Sequence, residues 1–466
     1  MNINKIMGFA IGPIGAAALG FITLPIITWF YSQEDIGKIS MLQVAASFCV
    51  LIFSLGLDQS YVREYHESEN KPALLKMAIL PGIIILLVSL ILIMSVPTLF
   101  SELLFDLPSV ILSVLIVIFI LATFLSRFLS LILRMQEKGL AYSMSLILSK
   151  IIFLLVMLCY YLISFGFELT YLVMAYAISM VSVTFIYGWN TRLEWREALK
   201  ERVEPDKFKL MLKFGAPLIV GGATFWGLTA MDRVFIRKLS TFEELGIYSV
   251  AVSFAGAAVI FQSIFSIVWA PTVYKWAAEG INTEKIEKVT EHVLAIVVFC
   301  FIFVGLFSWI VTYILPVQYE RIQYIISACM AYPLFYTLSE TTVVGLGVTR
   351  KSSYVMLSAI VAALINLVGN YLLVPEYGAT GAAVSTALSF WFFLLLRTES
   401  SCVAWRKLKR AKMYYMTLSC LFLSIVSAFL GDLIYQYLVI AWSILGVFSI
   451  FIFKRSLIAA VKFVFP

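Results

Sequence analysis

Stretches of about 20 apolar residues recur from one end of this sequence to the other, each long enough to cross a hydrocarbon core ~30 Å thick. A chain patterned this way has few options. The bilayer core offers no water to the backbone, so a spanning segment must be a helix or a strand of a closed barrel. Barrel strands alternate apolar and polar residues over ~10 positions, and these runs do not alternate. Of 466 residues 62% are hydrophobic and 13% charged, with a mean hydropathy of +0.98, which excludes a water-soluble domain. The expected fold class is all-α and polytopic. The opening MNINKIMGFAIGPIGAAALG has an apolar run too long, and too broken by Gly and Pro, for a signal peptide, so it reads as the first span.

The pattern predicts fourteen spans, running from 6–30 to 435–453. Basic residues fall on alternate sides of them. One side holds Lys5; Arg63, Lys71 and Lys76; Arg134 and Lys138; Arg192 and Arg196; Arg350 and Lys351; and Arg406 to Arg410. The opposite loops carry Glu34, Asp35, Glu102, Asp106, Glu168, Glu376 and Asp432. The positive-inside rule then puts both termini in the cytoplasm, with the loop of Arg233, Arg237 and Lys238 as the exception. The net charge of +7 is thus topological and points to lipid headgroups, not nucleic acid. The six cysteines form no CxxC pattern, and His66 and His292 lie far apart. No disulfide framework, metal site or cofactor is expected.

An internal echo organises the spans. SQEDIGKIS at 32–40 matches STFEELGIYS at 240–249, with Ser32, Glu34, Asp35 and Gly37 set against Thr241, Glu243, Glu244 and Gly246. Pro13 and Pro217 each sit early in the preceding span. An even-numbered repeat returns the chain to its starting side, so the halves are parallel, a transporter design with the site between them. The expected organisation is a six-helix half at 1–190, a cytoplasmic linker at 191–210 with a short amphipathic helix broken at Pro205, a second half at 211–400 and an added helix pair with a basic tail at 401–466. Gly12, Pro13, Gly15, Gly215 and Pro217 are read either as backbone breaks beside a cavity or as small-residue packing sites.

A charge at the bilayer centre costs ~2.5–3.5 kcal/mol on insertion scales, so it should face a cavity or a partner. Lys150 lies ~15 Å into the span 140–163, with Leu146 and Leu154 four residues to either side. Its partner must come from another helix, from water or from cargo. Glu340 is one carboxylate that could pair with it, and is also the candidate for coupling to H+ or Na+. Arg127 sits toward the inner end of 108–132, and Asp232 and Arg233 at the outer end of 211–233. Asn366 and Asn370 are one turn apart and share a face. Asp58 and Arg63, in GLDQSYVREYHESE at 56–69, are expected to interact as a polar gate at the inner end of 39–60, with Arg63 available to a phosphate.

GLDQSYVREYHE, the Asp232–Arg233 pair followed by LGIYSVA, and INLVGNYLLVPEYGATGAAVSTALS resemble the Wzx-type polysaccharide flippases of the multidrug/oligosaccharidyl-lipid/polysaccharide exporter superfamily, a MATE-like fold. The resemblance covers nearly the whole chain. It implies a transporter, not an enzyme, in the bacterial inner membrane. Its cargo would be undecaprenyl-pyrophosphate-linked oligosaccharide for O-antigen, capsule or exopolysaccharide, moved by alternating access through a cationic cavity. Implied partners are membrane lipids, a polysaccharide polymerase and a chain-length regulator. The first span has no arginine, unlike the lipid II flippase branch, and no carboxylate, unlike the drug antiporters. The competing reading is a cation-coupled multidrug or metabolite antiporter on the same fold.

Overall fold

In this computed structural model residues 3–164, 166–279, 283–349 and 351–458 are described, except for the side chains at 3–11, 13, 264, 267, 268, 270, 271, 274, 277, 278 and 283. Arg350, the side chains of Lys5 and Pro13, and the tail beyond 458 lie outside them. The fold is all-α. Among the described residues, ten helices are long and apolar enough to cross a membrane.

The chain divides into two units, residues 1–226 and 227–466. The first holds α1 (Ile3–Phe30), α2 (Gln33–Phe53), α3 (Leu57–Glu64), α4 (Lys71–Met94), α5 (Leu99–Phe105), α6 (Val110–Met135), α7 (Gly139–Leu162), α8 (Leu169–Asn190), α9 (Arg192–Lys200) and the start of α10 (Pro205–Leu239). The second takes the rest of α10, then α11 (Phe242–Ala278), α12 (Thr283–Phe307), α13 (Val311–Ile314), α14 (Ile322–Cys329), α15 (Ala331–Val348), α16 (Ser352–Ala404) and α17 (Ala411–Ile452). In the first unit α1 packs on α7 and α6 on α8; in the second α15 packs on α16 and α12 on α17.

The echoed motif has a local cause. Ser32 caps α2: its Oγ accepts from the Asp35 amide at 3.1 Å, and Asp35 reaches back to the Ser32 amide at 3.3 Å. Thr241 does the same ahead of α11, accepting from the Glu244 amide at 3.3 Å. Both copies are N-terminal capping motifs, which satisfy donors that a helix start leaves orphaned.

Several boundaries differ from expectation. The span predicted at 39–60 ends at Phe53, and Leu55 and Gly56 take left-handed φ of 54° and 67°. The chain turns there, so Asp58 and Arg63 belong to the separate helix α3. The linker helix forms at Arg192–Lys200, and Pro205 opens α10 instead of breaking a helix, as its fixed φ favours. The fourteen-span pattern implies short connections at 375–380 and near 432–434; these are bends inside α16, at Gly378 (φ 50°, ψ −123°), and α17, at Ile434. At 53 residues α16 would run ~80 Å, more than twice the hydrocarbon core, so a bend is required. The Glu244 carboxylate holds it by accepting from the Ala379 amide at 2.8 Å. Finally α10 continues to Leu239, which places Asp232 and Arg233 inside a helix and not at its end.

α1 is continuous through Gly12 and Gly15. A Cβ at Gly12 would strike Ser143, and one at Gly15 would strike Ile147. At these two positions the glycines serve close helix packing, not a broken backbone.

Candidate functional site

The first unit encloses a cavity of about 800 Å³, at the upper end of the range of ligand pockets. It is walled by one face each of α2, α3, α6, α7 and α8 and by 218–222 of α10. Hydroxyls dominate its polar surface: Ser47 and Ser54 from α2, Thr123, Ser126 and Ser130 from α6, Tyr142, Ser145 and Ser149 from α7. Most of their protons are already used. Ser47, Ser54, Thr123, Ser130, Ser145 and Ser149 each donate to a backbone carbonyl three or four residues earlier. This is how a hydroxyl is accommodated inside a membrane helix, and apart from Ser47, which accepts from Trp226 Nε1 at 3.0 Å, it leaves oxygen lone pairs to accept from a guest. Such a wall suits a polyol.

One ion pair lies in this wall. Arg127 Nη2 donates to Asp58 Oδ2 at 2.7 Å, and Gln59 Nε2 reaches the same oxygen at 3.1 Å. The Asp58 side chain is 10% exposed and that of Arg127 41%. Asp58 stands in the first turn of α3, where the helix dipole favours an anion. Arg127 commits one hydrogen bond to it and has five N–H donors in all, so the guanidinium keeps donors for an anion. Among the described residues lining this cavity, Arg127 and Asp58 are the only charged ones.

The expected Asp58–Arg63 gate is corrected by this geometry. Both residues are on α3, but Arg63 turns away: its guanidinium lies 4.3 Å from the centroid of the Phe214 ring, and its nearest acid is Glu64 at 4.0 Å. Along that same face Ser60 Oγ donates to the Met211 carbonyl at 2.8 Å. Gly56 approaches Gly215 so closely that a Cβ on either would fall on the other's carbonyl.

Lys150 does not line the cavity, although Leu146, four residues earlier on the same stripe of α7, does. Its chain neighbour Ser149 lines it too, so Lys150 lies at the level of the wall. It is half-buried and has no hydrogen-bonding or ion-pair partner among the described residues. Glu340, considered above as a partner for it, is paired with Arg397 at 2.7 Å. Arg397 also donates to Ser339 and stacks on Phe393 at 4.2 Å.

The second unit gathers three of the other predicted residues. Asp232 is 1% exposed. Its Oδ1 accepts from Asn366 Nδ2 at 2.9 Å and Asn370 Nδ2 at 2.7 Å, and its Oδ2 from Tyr248 and Thr386, both at 2.6 Å. Arg233 points elsewhere and donates to the Thr229 carbonyl. Among the described residues Asp232 thus has four neutral donors and no ion-pair partner, and the buried Asn370 Oδ1 beside it accepts no hydrogen bond. Sequence reasoning missed Tyr248, Thr386 and Arg397, as well as the hydroxyl wall. The spacing of Thr123, Ser126 and Ser130, and of Tyr142, Ser145 and Ser149, is the signal that marks that wall.

Residues 5–276 match the family described as "Polysaccharide biosynthesis protein". No curated protein matches the chain. Among solved structures the chain is similar to the lipid II flippase MurJ in an inward closed conformation, with a TM-score of 0.68 and 15% identity over 97% of this chain and 99% of that one. It is also similar to a multidrug resistance MATE family transporter of the MOP superfamily. The inward-facing form gives a TM-score of 0.58 at 13% identity, over 83% of this chain and 94% of that one. The outward-facing form gives 0.53 at 13% identity, over 86% and 95%. At these identities the likeness establishes the fold, an all-α polytopic one of the MOP type.

Proposed function

We infer the function from one premise: the chain belongs to the polysaccharide biosynthesis protein family. On it we propose a flippase that moves undecaprenyl-pyrophosphate-linked oligosaccharide across the bacterial inner membrane by alternating access, with fourteen spans and both termini cytoplasmic. The observation that carries this reading is the cavity whose hydroxyl acceptors surround a partly engaged arginine. A sugar offers donors to those acceptors, and a phosphate oxygen accepts from a free N–H of Arg127. Asp58 gives Arg127 a resting partner, so the cation is not left bare in the membrane between cargoes. Deleting the gene tests the proposal: lipid-linked intermediate should accumulate on the cytoplasmic face and surface polymer should vanish. Intact polymer with no such accumulation contradicts it.

Lys150 is assigned a transient role toward the same anion, because it follows the wall residue Ser149 on α7 and has no partner among the described residues. Lys150→Ala should accumulate at the normal level and fail to complement the deletion, while Lys150→Arg retains part of the export. Complementation by Lys150→Ala, measured as surface polymer per unit of protein, removes it from the mechanism.

The second reading, a cation-coupled antiporter, is favoured by Asp232. Glu340 was the expected coupling carboxylate, but Arg397 already neutralises it. Asp232 is a buried carboxylate held by four neutral donors, and a carboxylate so placed inside a membrane is a candidate seat for a coupling cation. In proteoliposomes Asp232→Asn should abolish any ion dependence of transport. Glu340→Gln should preserve it but lower thermal stability, because it leaves Arg397 buried without its acid. The reverse pattern returns the coupling role to Glu340.

A further inference from the structure

On the opposite faces of α6 and α8 from the cavity lies a second concavity, about 820 Å³, closed by α4 and the short helix α9. It shares no lining residue with the first. Its body is aliphatic, formed by residues such as Ile79, Ile83, Ile118, Leu121 and Leu125. Along α6 it runs from Ile118 to Leu129, ~16 Å at 1.5 Å per residue, or about half of a ~30 Å hydrocarbon core. One leaflet's acyl chain occupies that depth.

Its other end is different. Trp189, Arg192, Trp195 and Arg196 gather there. The Arg192 guanidinium lies 4.9 Å from the Trp189 ring, and Arg196 lies 5.5 Å from the Trp195 ring. Neither arginine has a carboxylate partner among the described residues. The helix that presents them is strapped in place. Lys76 Nζ donates to the carbonyls of Leu199 and Glu201 at its C-terminal end, at 3.0 and 2.7 Å, and Trp195 Nε1 donates to the Gly188 carbonyl at 2.9 Å. An aliphatic trough one leaflet deep therefore ends in two uncompensated guanidiniums flanked by tryptophans, the residues of the membrane interface.

We propose that this groove is a binding site for one anionic glycerophospholipid, its acyl chain in the trough and its phosphodiester on Arg192 and Arg196. The lipid is a resident and not the cargo. It lies behind the cavity wall, on faces of α6 and α8 that the cargo does not touch. It also has a route to influence that wall: Thr184, in the groove, hydrogen-bonds Ser126, in the cavity, at 2.6 Å.

The test is native mass spectrometry of the full chain with phosphatidylglycerol, phosphatidylethanolamine of the same acyl chains, and polyprenyl phosphate. Phosphatidylglycerol should be retained about tenfold more than phosphatidylethanolamine, as charge-assisted guanidinium–phosphate bonds favour the lipid of net negative charge. Arg192→Ala with Arg196→Ala should erase the preference. Lysine at both positions should keep part of it, which also reports an intact fold. Leu121→Trp should lower retention of both phospholipids by filling the trough. Equal retention by the unaltered chain, a preference that survives the alanine pair, or retention unchanged by Leu121→Trp overturns the proposal. So does arginine-dependent retention of polyprenyl phosphate in place of phosphatidylglycerol, which makes the groove a seat for cargo.

Discussion

Arg127→Ala is expected to cut polymer export by about 10- to 100-fold while the protein still inserts. The size follows from one charge-assisted hydrogen bond to the cargo phosphate, ~1.5–3 kcal/mol, at ~1.4 kcal/mol per tenfold. The substitution has a second effect, since it leaves Asp58, with a side chain only 10% exposed, without its cation. That penalty can reach ~3–5 kcal/mol for a fully buried pair; here it is smaller, because Arg127 is 41% exposed and partly screened. A charge swap separates the two effects. Asp58→Arg combined with Arg127→Asp restores the pair, and with it protein level and thermal stability. It moves the cation from α6 to α3, so export should stay low. Recovery of export by the swapped pair, scored as surface polymer in a deletion strain, assigns Arg127 a structural role only.

Gly56→Ala is expected to be the most destabilising small substitution in the first unit. Its φ of 67° costs a residue with a Cβ ~1–2 kcal/mol. Driving that Cβ into the Gly215 carbonyl adds ~1–3 kcal/mol of overpacking. Gly215→Ala carries the packing cost alone, so it should lower the detergent-solubilised Tm by less. The two substitutions meet at one contact, so the double variant should lose less than the sum. Strict additivity in thermal unfolding means that α3 and α10 are not held together at this glycine pair.

The all-α polytopic fold was legible because the bilayer fixes the length of an apolar run, and the Asn366–Asn370 face was legible because helical spacing fixes it. Partners drawn from other elements were not. Tyr248 and Thr386 reach Asp232 across 16 and 154 residues of sequence, and periodicity carries no information at that range. The Asp58–Arg63 pairing failed for a local reason: the two stand five residues apart on one helix, α3, which sets them ~140° apart around its axis at 3.6 residues per turn. Asp58 thereby faces α6 and Arg63 faces α10. Arg397 stands at the edge of an apolar run, where an arginine ordinarily meets headgroups; its burial against Glu340 and Phe393 depends on a helix that continues to Ala404. The hydroxyl wall went unread because single serines in apolar runs are unremarkable until three helices turn them to one side.

The most direct measurement is translocation by the purified chain in sealed proteoliposomes carrying an undecaprenyl-pyrophosphate oligosaccharide in both leaflets, with an impermeant glycosidase added outside. The enzyme alone can digest only the outer pool. With the wild-type chain, digestion should pass beyond that pool toward completion, and with Arg127→Ala it should stall near it. Digestion that stops at the outer pool with the wild-type chain, in vesicles where the same protein expels a cationic dye against a proton or sodium gradient, contradicts the flippase account and leaves the antiporter.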